Sequence, residues 1–166
     1  MSADLLVRQL TAADADAYRD LRLEALQNAP TAFGSNYEAE SKQTVADFEG
    51  WMTRSYIAGA WLADELVGSA SFYRLDSAKA AHRGNIWGVY VRPAARGHGV
   101  ARAVMENVLA FARTQVQQVH LAVVTGNGSA LKLYEHLGFT TYGIEPRALC
   151  VDGRYYDEHL MVLRFD

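Results

Sequence analysis

The stretch from Ile86 to Leu109 constrains the fold more than any other part of the chain. It reads as a buried strand over Ile86–Val91, a loop from Arg92 to Gly99, and a helix that opens at Val100. A strand that runs through glycines into a helix leaves unpaired N–H groups at the start of that helix, where the helix dipole adds partial positive charge. This arrangement predicts a binding site for an anion, and for phosphate in particular.

The small residues of this loop have separate uses. Gly97 and Gly99 remove Cβ atoms where the backbone must turn sharply and approach a ligand, and Ala101 keeps the first helical turn small. Pro93 ends the strand because it cannot donate a hydrogen bond to a neighbouring strand. The resulting pattern is Arg96-x-x-Gly99-x-Ala101.

Two well-known phosphate loops fit this stretch poorly. The dinucleotide-binding fingerprint requires a third glycine where Arg102 stands, and an acidic residue about 20 positions further on. The P-loop requires Lys followed by Ser or Thr after its last glycine, but Val100 and Ala101 follow Gly99. The first reading is weak and the second fails.

A second motif lies about thirty residues further along, from Asn127 to Phe139. Asn127 and Tyr134 are seven positions apart, so two helical turns place them on one face, about 10 Å apart along the axis. Gly138 ends the helix as a C-cap, and Phe139 enters the next strand. The motif therefore predicts a helix with two polar groups directed to one side.

Both motifs resemble those of the GCN5-related N-acetyltransferases. The loop resembles the acetyl-CoA loop of that family, in which Arg or Gln, two free positions, Gly, one free position and Gly or Ala follow a strand ending in Val and Pro. The second motif is similar to the family's pattern Asn-x-x-Ala-x-x-Leu-Tyr-x-x-x-Gly-Phe. The resemblance extends over most of the chain and is specific between Ile86 and Phe139.

The resemblance implies direct transfer of an acetyl group from acetyl-CoA, as co-substrate, to an amine, without a metal. Gly97 to Ala101 would hold the pyrophosphate with help from Arg96, a backbone N–H near Val89 would stabilise the oxyanion, and Tyr134 would protonate the departing thiolate. The residues assigned to the cofactor are Val89, Tyr90, Val91, Arg96, Gly97, His98, Gly99, Val100, Ala101, Asn127, Ser129 and Tyr134.

The chain departs from the family pattern at the general base. Many relatives carry a glutamate on the strand before the loop, but Asn85-Ile86-Trp87-Gly88 offers no carboxylate. Glu38, on a loop that would cover the acceptor side of the cleft, is the preferred candidate base. The alternatives are Glu40, Glu145, Asp157, Glu158 and proton loss through water.

Aromatic residues offer a wall for the acceptor amine. Phe33, Tyr37, Trp87 and Tyr155 could form this wall, and Asp157 could hold a cationic amine. For each of these residues, packing on the sheet or anchoring of a loop is an equally good interpretation.

The order of the predicted strands and helices describes an α/β domain with a mixed sheet. The family resemblance implies the acyl-CoA N-acyltransferase fold, a mostly antiparallel sheet flanked by helices whose central strands splay apart. Gly88 would mark a bulge that helps to splay them. Arg22, with other charged residues of the first helix, is expected to face water. The other predicted strands cover 5–10, 57–63, 66–75, 119–124, 139–144 and 155–165; the predicted helices cover about 14–28, 44–55 and 127–137, and 31–43 reads as a loop or broken helix.

Length, charge and cysteine content limit the number of domains, the binding partners and the compartment that we expect. A chain of 166 residues suits one domain, here 1–166, with a substantial core. The net charge of −3 gives no general attraction for nucleic acid or an anionic membrane, and no apolar run reaches the length of a membrane span. One cysteine, Cys150, excludes an internal disulfide, and with an N-terminus that lacks a leader pattern it favours the cytoplasm. The family resemblance adds a possible homodimer, with a small-molecule or peptide amine as partner.

Two other functions compete with acetyl transfer. A non-catalytic domain that holds acyl-CoA as a sensor or regulatory module would explain the missing carboxylate, although Tyr134 argues against it. A nucleotide-binding domain of the Rossmann type is disfavoured because an antiparallel hairpin, residues 57–75, precedes the glycine loop.

Overall fold

A computed structural model describes residues 4–166 of the chain. Residues 1–3, on which the expected absence of a leader partly rests, lie outside the described residues. The strands are β1 (Leu5–Gln9), β2 (Tyr56–Leu62), β3 (Glu65–Arg74), β4 (Arg83–Val91), β5 (Gln118–Val124), β6 (Thr140–Val151) and β7 (Arg154–Arg164). The α-helices are α1 (Ala15–Asn28), α2 (Tyr37–Glu40), α3 (Val45–Arg54), α4 (Val100–Ala112) and α5 (Gly128–His136).

The seven strands form one sheet in the order β1-β2-β3-β4-β5-β7-β6. Strands β4 and β5 pair in parallel, and the other neighbouring strands of the sheet pair in antiparallel fashion. The mixed, mostly antiparallel sheet predicted from the sequence is therefore confirmed. Its one parallel pair requires the crossover that α4 supplies.

Local capping signals start two of the helices where the sequence places them. The Thr11 N–H donates to Asp14 Oδ2 at 2.8 Å ahead of α1. Before α3, the N–H of Thr44 donates to Asp47 Oδ2 at 2.8 Å while the Asp47 N–H donates back to Thr44 Oγ1 at 3.2 Å. These reciprocal bonds satisfy donors that a helix start leaves open.

The sheet buries both of its faces. Val104, Met105 and Val108 of α4 are completely buried on one face, in a core that also holds Tyr134 and Phe139. On the other face, α1 and α3 form a second core with residues of the first strands: Leu10, Tyr18, Leu21, Phe48 and Ile57. Burial of apolar surface on both faces holds the central strands rigidly, which fixes the backbone at the site.

Two sequence-based expectations about the elements are wrong. Arg22 does not face water: it is 7% exposed, because its guanidinium is paired inside the protein. The strand predicted to end at Ile144 continues to Val151, since β6 follows β7 through irregular register after Glu145. The Pro146-Arg147 pair interrupts the alternation in sequence, so the second half of this strand gave no strand signal.

The segment between residues 31 and 43 is a broken helix, as predicted, with a 3₁₀ turn at Pro30–Ala32 and the short helix α2. The longest described helix, α1, has 14 residues, and none of the helices in residues 4–166 meets the length and apolar character of a membrane span.

Candidate functional site

The two parallel strands separate in the middle of the sheet. Their pairing covers only Arg83–Asn85 on β4 and Gln118–His120 on β5 within the described residues. Beyond these positions, β4 and β5 continue to Val91 and Val124 without pairing to each other. A gap therefore opens between them, lined by backbone groups that a ligand can bind.

A bulge in β4 at Gly88 lies next to the point where β4 and β5 separate. The register runs from Ser69 opposite Tyr90 to Ser71 opposite Trp87, so one residue of β3 lies opposite two of β4. Gly88 has a φ of +62°, in the left-handed region that favours glycine. A bulge of this kind increases local bending and releases backbone groups from the ladder. The predicted role of Gly88 is thus seen in the backbone.

The gap holds a cavity of about 600 Å³. Residues of β4, the glycine loop, β5 and α5 line it, so the two sequence motifs meet in one place. Of the predicted cofactor residues, those that line it are Val89, Tyr90, Val91, Arg96, Gly97, Gly99, Val100, Ala101, Asn127, Ser129 and Tyr134. His98 is exposed and lies outside this lining.

The glycine loop has the backbone that its sequence predicts. Gly97 and Gly99 have φ values of +83° and +74°, which side chains with a Cβ rarely adopt. The Ala103 N–H donates to Gly99 O at 3.0 Å, so the N–H groups ahead of Ala103 are left at the helix start. With the dipole of the 13-residue helix α4, they form an anion site beside the cavity.

Arg96 is held at this site by the backbone at the end of β4. Its Nε donates to Val91 O at 3.0 Å, and its guanidinium lies 5.8 Å from the ring centre of Tyr90. The Tyr90 hydroxyl accepts from Asn28 Nδ2 at 3.2 Å and donates to Glu24 Oε2 at 3.0 Å. The remaining N–H groups of Arg96 stay available to an anion next to the loop.

Helix α5 brings Asn127 and Tyr134 to the cavity. Asn127 caps the helix, since its Oδ1 accepts from the Ala130 N–H at 3.2 Å, and its side-chain NH₂ is what it offers to a ligand. Tyr134 is 7% exposed and packs edge-on against Phe139 with ring centres 6.0 Å apart. Burial raises the pKa of Tyr134 to about 12, so this hydroxyl keeps its proton at neutral pH.

The aromatic residues predicted to contact the acceptor lie in different places. Phe33 is buried and lines the cavity, and Trp87 lines a smaller neighbouring pocket. Tyr37 and Tyr155 are exposed and line neither space. Asp157 accepts from the Arg147 N–H at 2.8 Å, where Arg147 has a φ of +51°, so its carboxylate supports a turn in β6.

The carboxylates considered as general base are also separated. Glu38 is exposed on α2 and lines neither space, whereas Glu40 is buried and paired with Arg22. Glu158 also lines neither space, but it lies opposite Val124, a cavity residue, and opposite Glu145 on β6. Burial and the charge of Glu145 raise the pKa of the Glu158 carboxyl above its usual range.

Sequence reasoning missed Arg22 as a residue of the site. Its guanidinium lies 5.0 Å from the ring centre of Phe33, 5.5 Å from that of Trp87 and 5.9 Å from that of Trp51. The signal was present, because Arg22 lies four positions after the core residue Tyr18 and thus on the buried stripe of α1. An arginine in an apolar stripe indicates a buried partner.

The model of the Acetyltransferase (GNAT) family matches residues 18–139. An uncharacterised protein of Mycobacterium leprae is 32% identical over 127 residues, which are 75% of this chain and 34% of that protein. The N-alpha-acetyltransferase RimI of Mycobacterium tuberculosis is 34% identical over 99 residues, which are 60% of this chain and 61% of that protein. The chain thus spans less than two thirds of each relative.

Solved structures share the whole fold. The structure of yncA from Salmonella typhimurium, determined with its cofactor acetyl-CoA, matches with a TM-score of 0.87 over 99% of this chain and 95% of that one. The two sequences are 20% identical, so this likeness concerns the fold.

Proposed function

We propose that this chain, which belongs to the GNAT family of acetyltransferases, transfers the acetyl group of acetyl-CoA to the amine of an acceptor. The observation that carries the proposal is the cavity between β4 and β5, where the glycine loop and the Asn127–Tyr134 helix meet. The amide groups of a pantetheine arm can form hydrogen bonds there with the unpaired backbone of the two strands.

The cofactor's position follows from the chemistry of the lining. The pyrophosphate binds the N–H groups at the start of α4, next to the guanidinium of Arg96. The amide-rich arm pairs with the backbone of Val89 and Val91, and the NH₂ of Asn127 donates to it from the facing helix. The thioester then lies at the inner end of the cavity, beside Tyr134.

In the transfer step the acetyl group moves from sulfur to nitrogen, the nitrogen loses one proton to a base, and the sulfur gains one proton from Tyr134, which then regains a proton from solvent. The neutral amine attacks the thioester carbonyl, and the Val89 N–H stabilises the negative oxygen of the tetrahedral intermediate. The C–S bond breaks as Tyr134 donates its proton to the sulfur, and the amide forms. Burial that raises the pKa of Tyr134 also raises that of a thiol in the same place, so proton transfer between them stays feasible.

Two carboxylates compete to take the proton that the amine releases. Glu38, the residue favoured by the sequence, is exposed on α2, from which a proton passes directly to solvent. Glu158 lies opposite the cavity residue Val124, and residues paired across antiparallel strands project to the same face. Its position and its raised pKa favour Glu158 as the base.

We also propose a cytoplasmic homodimer as the working form. The exposed cysteine Cys150 suits a reducing compartment. At the end of the sheet, β6 exposes Tyr142 and Ile144, which are 55% and 48% accessible, beside an open strand edge. Sedimentation equilibrium tests this assembly, and a monomer at all concentrations would contradict it.

The function is tested by release of free CoA thiol from acetyl-CoA across a panel of amines. We expect turnover with at least one class of amine and no release without an amine. Tight binding of acetyl-CoA with no turnover of any amine would instead favour the alternative, a non-catalytic acyl-CoA sensor or regulatory domain.

A further inference from the structure

A second pocket lies next to the cavity, on the acceptor side of the Gly88 bulge. Trp87 lines this pocket, and Val89, two positions further along β4, lines the cavity. The pocket has a volume of about 280 Å³, and its other sides come from α1, α2, α3 and β3. Two residues of chain span at most about 7 Å, so the edges of the pocket and of the cavity lie within the length of one small molecule.

Two of the residues that line the pocket, Trp51 and Trp87, give it flat apolar surface. The indole rings of Trp51 and Trp87 meet at an angle of 67° with their centres 5.8 Å apart. Indole faces of this kind bury an apolar group and add little flexibility of their own. The pocket therefore fits an apolar side chain of the acceptor.

The charged groups of the pocket carry an excess of positive charge. Arg22 and Arg54 line it with a single carboxylate, that of Glu40. The carboxylate of Glu40 accepts hydrogen bonds from Nε and Nη2 of Arg22 at 2.8 and 3.1 Å. The remaining Nη1 of Arg22 lies 3.4 Å from the place that a Cβ on Gly88 would take, beside the bulge.

This distribution selects between kinds of amine. A second cationic group on the acceptor, as in a polyamine or a lysine-rich peptide, would be repelled by the two guanidinium groups. A carboxylate on the acceptor would be attracted, and a guanidinium can bind it through paired hydrogen bonds. Because Glu40 compensates the charge of Arg22, the net positive charge of the lining corresponds to one guanidinium, that of Arg54.

We infer that the acceptor is an amine bearing an apolar side chain, which lies against the indole rings of Trp51 and Trp87, and a carboxylate, which faces Arg54 and Nη1 of Arg22. This inference rests on the proposed acetyl transfer and names its substrate class. It gives Trp87 a role in recognition, as the aromatic wall predicted from the sequence, and it replaces the cationic amine assigned to Asp157.

The test uses matched amines that differ only at the carboxylate. L-leucine, L-methionine and L-phenylalanine are each compared with the corresponding amino-acid amide and with the amine that lacks the carboxyl group. A diamine serves as the dicationic member. Rates of CoA release are expressed per concentration of unprotonated amine, so that differences in amine pKa do not affect the comparison of kcat/KM values. We expect kcat/KM to be about tenfold or more higher for the carboxylate than for its neutral partners.

An Arg54→Gln variant identifies the charge that is responsible. Arg54 is exposed at the end of α3, so its replacement leaves the core intact. We expect it to reduce the preference for the carboxylate, measured as the ratio of kcat/KM for the amino acid to kcat/KM for its amide, at least several-fold. Arg113→Gln is the matched control, because Arg113 lies over Phe165, outside the pocket, and its replacement leaves the preference as it was.

The outcomes separate this inference from the proposed function. Amides or diamines that react as fast as the carboxylates would overturn the inference and leave acetyl transfer standing. An unchanged preference in Arg54→Gln would equally overturn it. Binding of acetyl-CoA without turnover of any amine would overturn the proposed function, and the inference with it.

Discussion

Arg22 and Glu40 form a buried, two-pronged ion pair, although 18 positions separate them in the chain. Their side chains are 8% and 5% exposed, and they join α1 to α2 beneath the aromatic rings of the second pocket. A guanidinium and a carboxylate taken out of water together are stable only while both remain paired. The pair therefore links the acceptor side of the site to the stability of the fold.

Replacement of Glu40 by Gln is expected to destabilise the protein by about 3–5 kcal/mol, because it leaves the charge of Arg22 buried without a counterion. The free energy of unfolding in urea measures this effect. The control is Glu106→Gln, which breaks an exposed pair with Arg102 and is expected to cost about 0.5 kcal/mol or less. Equal losses in the two variants would contradict the importance of the buried pair.

Replacement of Tyr134 by Phe is expected to lower kcat by about 10²- to 10⁴-fold, since it removes only the proton donor. The Kd for acetyl-CoA is expected to stay the same, because the ring and its contact with Phe139 remain. Steady-state kinetics and calorimetric titration measure the two quantities. Tyr142→Phe, at an exposed tyrosine, is the control. An unchanged kcat in Tyr134→Phe would show that another group protonates the sulfur.

A Gly88→Ala variant tests the bulge. A Cβ at this position makes ordinary contact with Arg22, at 3.4 Å, so the cost comes from the φ of +62°. We expect a loss of about 1–2 kcal/mol in the free energy of unfolding, together with lower turnover as β4 straightens. Gly143→Ala, where the added Cβ meets no atom within 4 Å, is expected to change neither. Normal stability and turnover in Gly88→Ala would mean that β4 splays without the bulge.

The pH dependence of turnover distinguishes Glu158 from Glu38 as the base. A base works only when deprotonated, so activity should fall as the pH drops through the raised pKa of Glu158, at a higher pH than for an ordinary carboxyl. Glu145→Gln removes one cause of the raised pKa, so we expect the fall in activity to occur at a lower pH in this variant. We expect Glu158→Gln to abolish this fall in activity with decreasing pH, and Glu38→Gln to leave it unchanged. If Glu38→Gln abolished this pH dependence and Glu158→Gln kept it, Glu38 would be the base.

The same carboxyl gives a prediction for stability. A carboxyl whose pKa is higher in the folded state than in the unfolded state favours folding while it is protonated. The stabilisation from protonated Glu158 is therefore present below its unfolded pKa and is lost as the pH rises through its folded pKa. In Glu145→Gln, where the like charge on β6 is absent, unfolding curves at several pH values should show a smaller loss. An equal loss in both proteins would contradict a repulsion between the two carboxylates.

The lining of the cavity could be predicted from sequence because its signals are local. Gly97 and Gly99 are required by their own backbone angles, and Asn127 and Tyr134 are placed by the geometry of one helix. Such features depend on neighbouring residues in the chain, so a short pattern describes them fully.

The acceptor side could not be predicted in the same way because it depends on tertiary packing. Arg22 seemed a solvated residue of α1, since nothing near it in sequence indicates that Glu40 lies next to it. Tyr37 and Tyr155 seemed suited to the pocket by residue type, but the positions of α2 and of the β6–β7 hairpin leave both rings exposed. Partners from distant elements are set by how the helices pack on the sheet.

A crystal structure with acetyl-CoA bound tests the central claim most directly. The account predicts the pantetheine arm in the gap between β4 and β5, the pyrophosphate on the N–H groups of Gly97 to Ala101, and the sulfur within hydrogen-bond reach of the Tyr134 hydroxyl. Acetyl-CoA bound outside this gap, or with its sulfur remote from Tyr134, would contradict it.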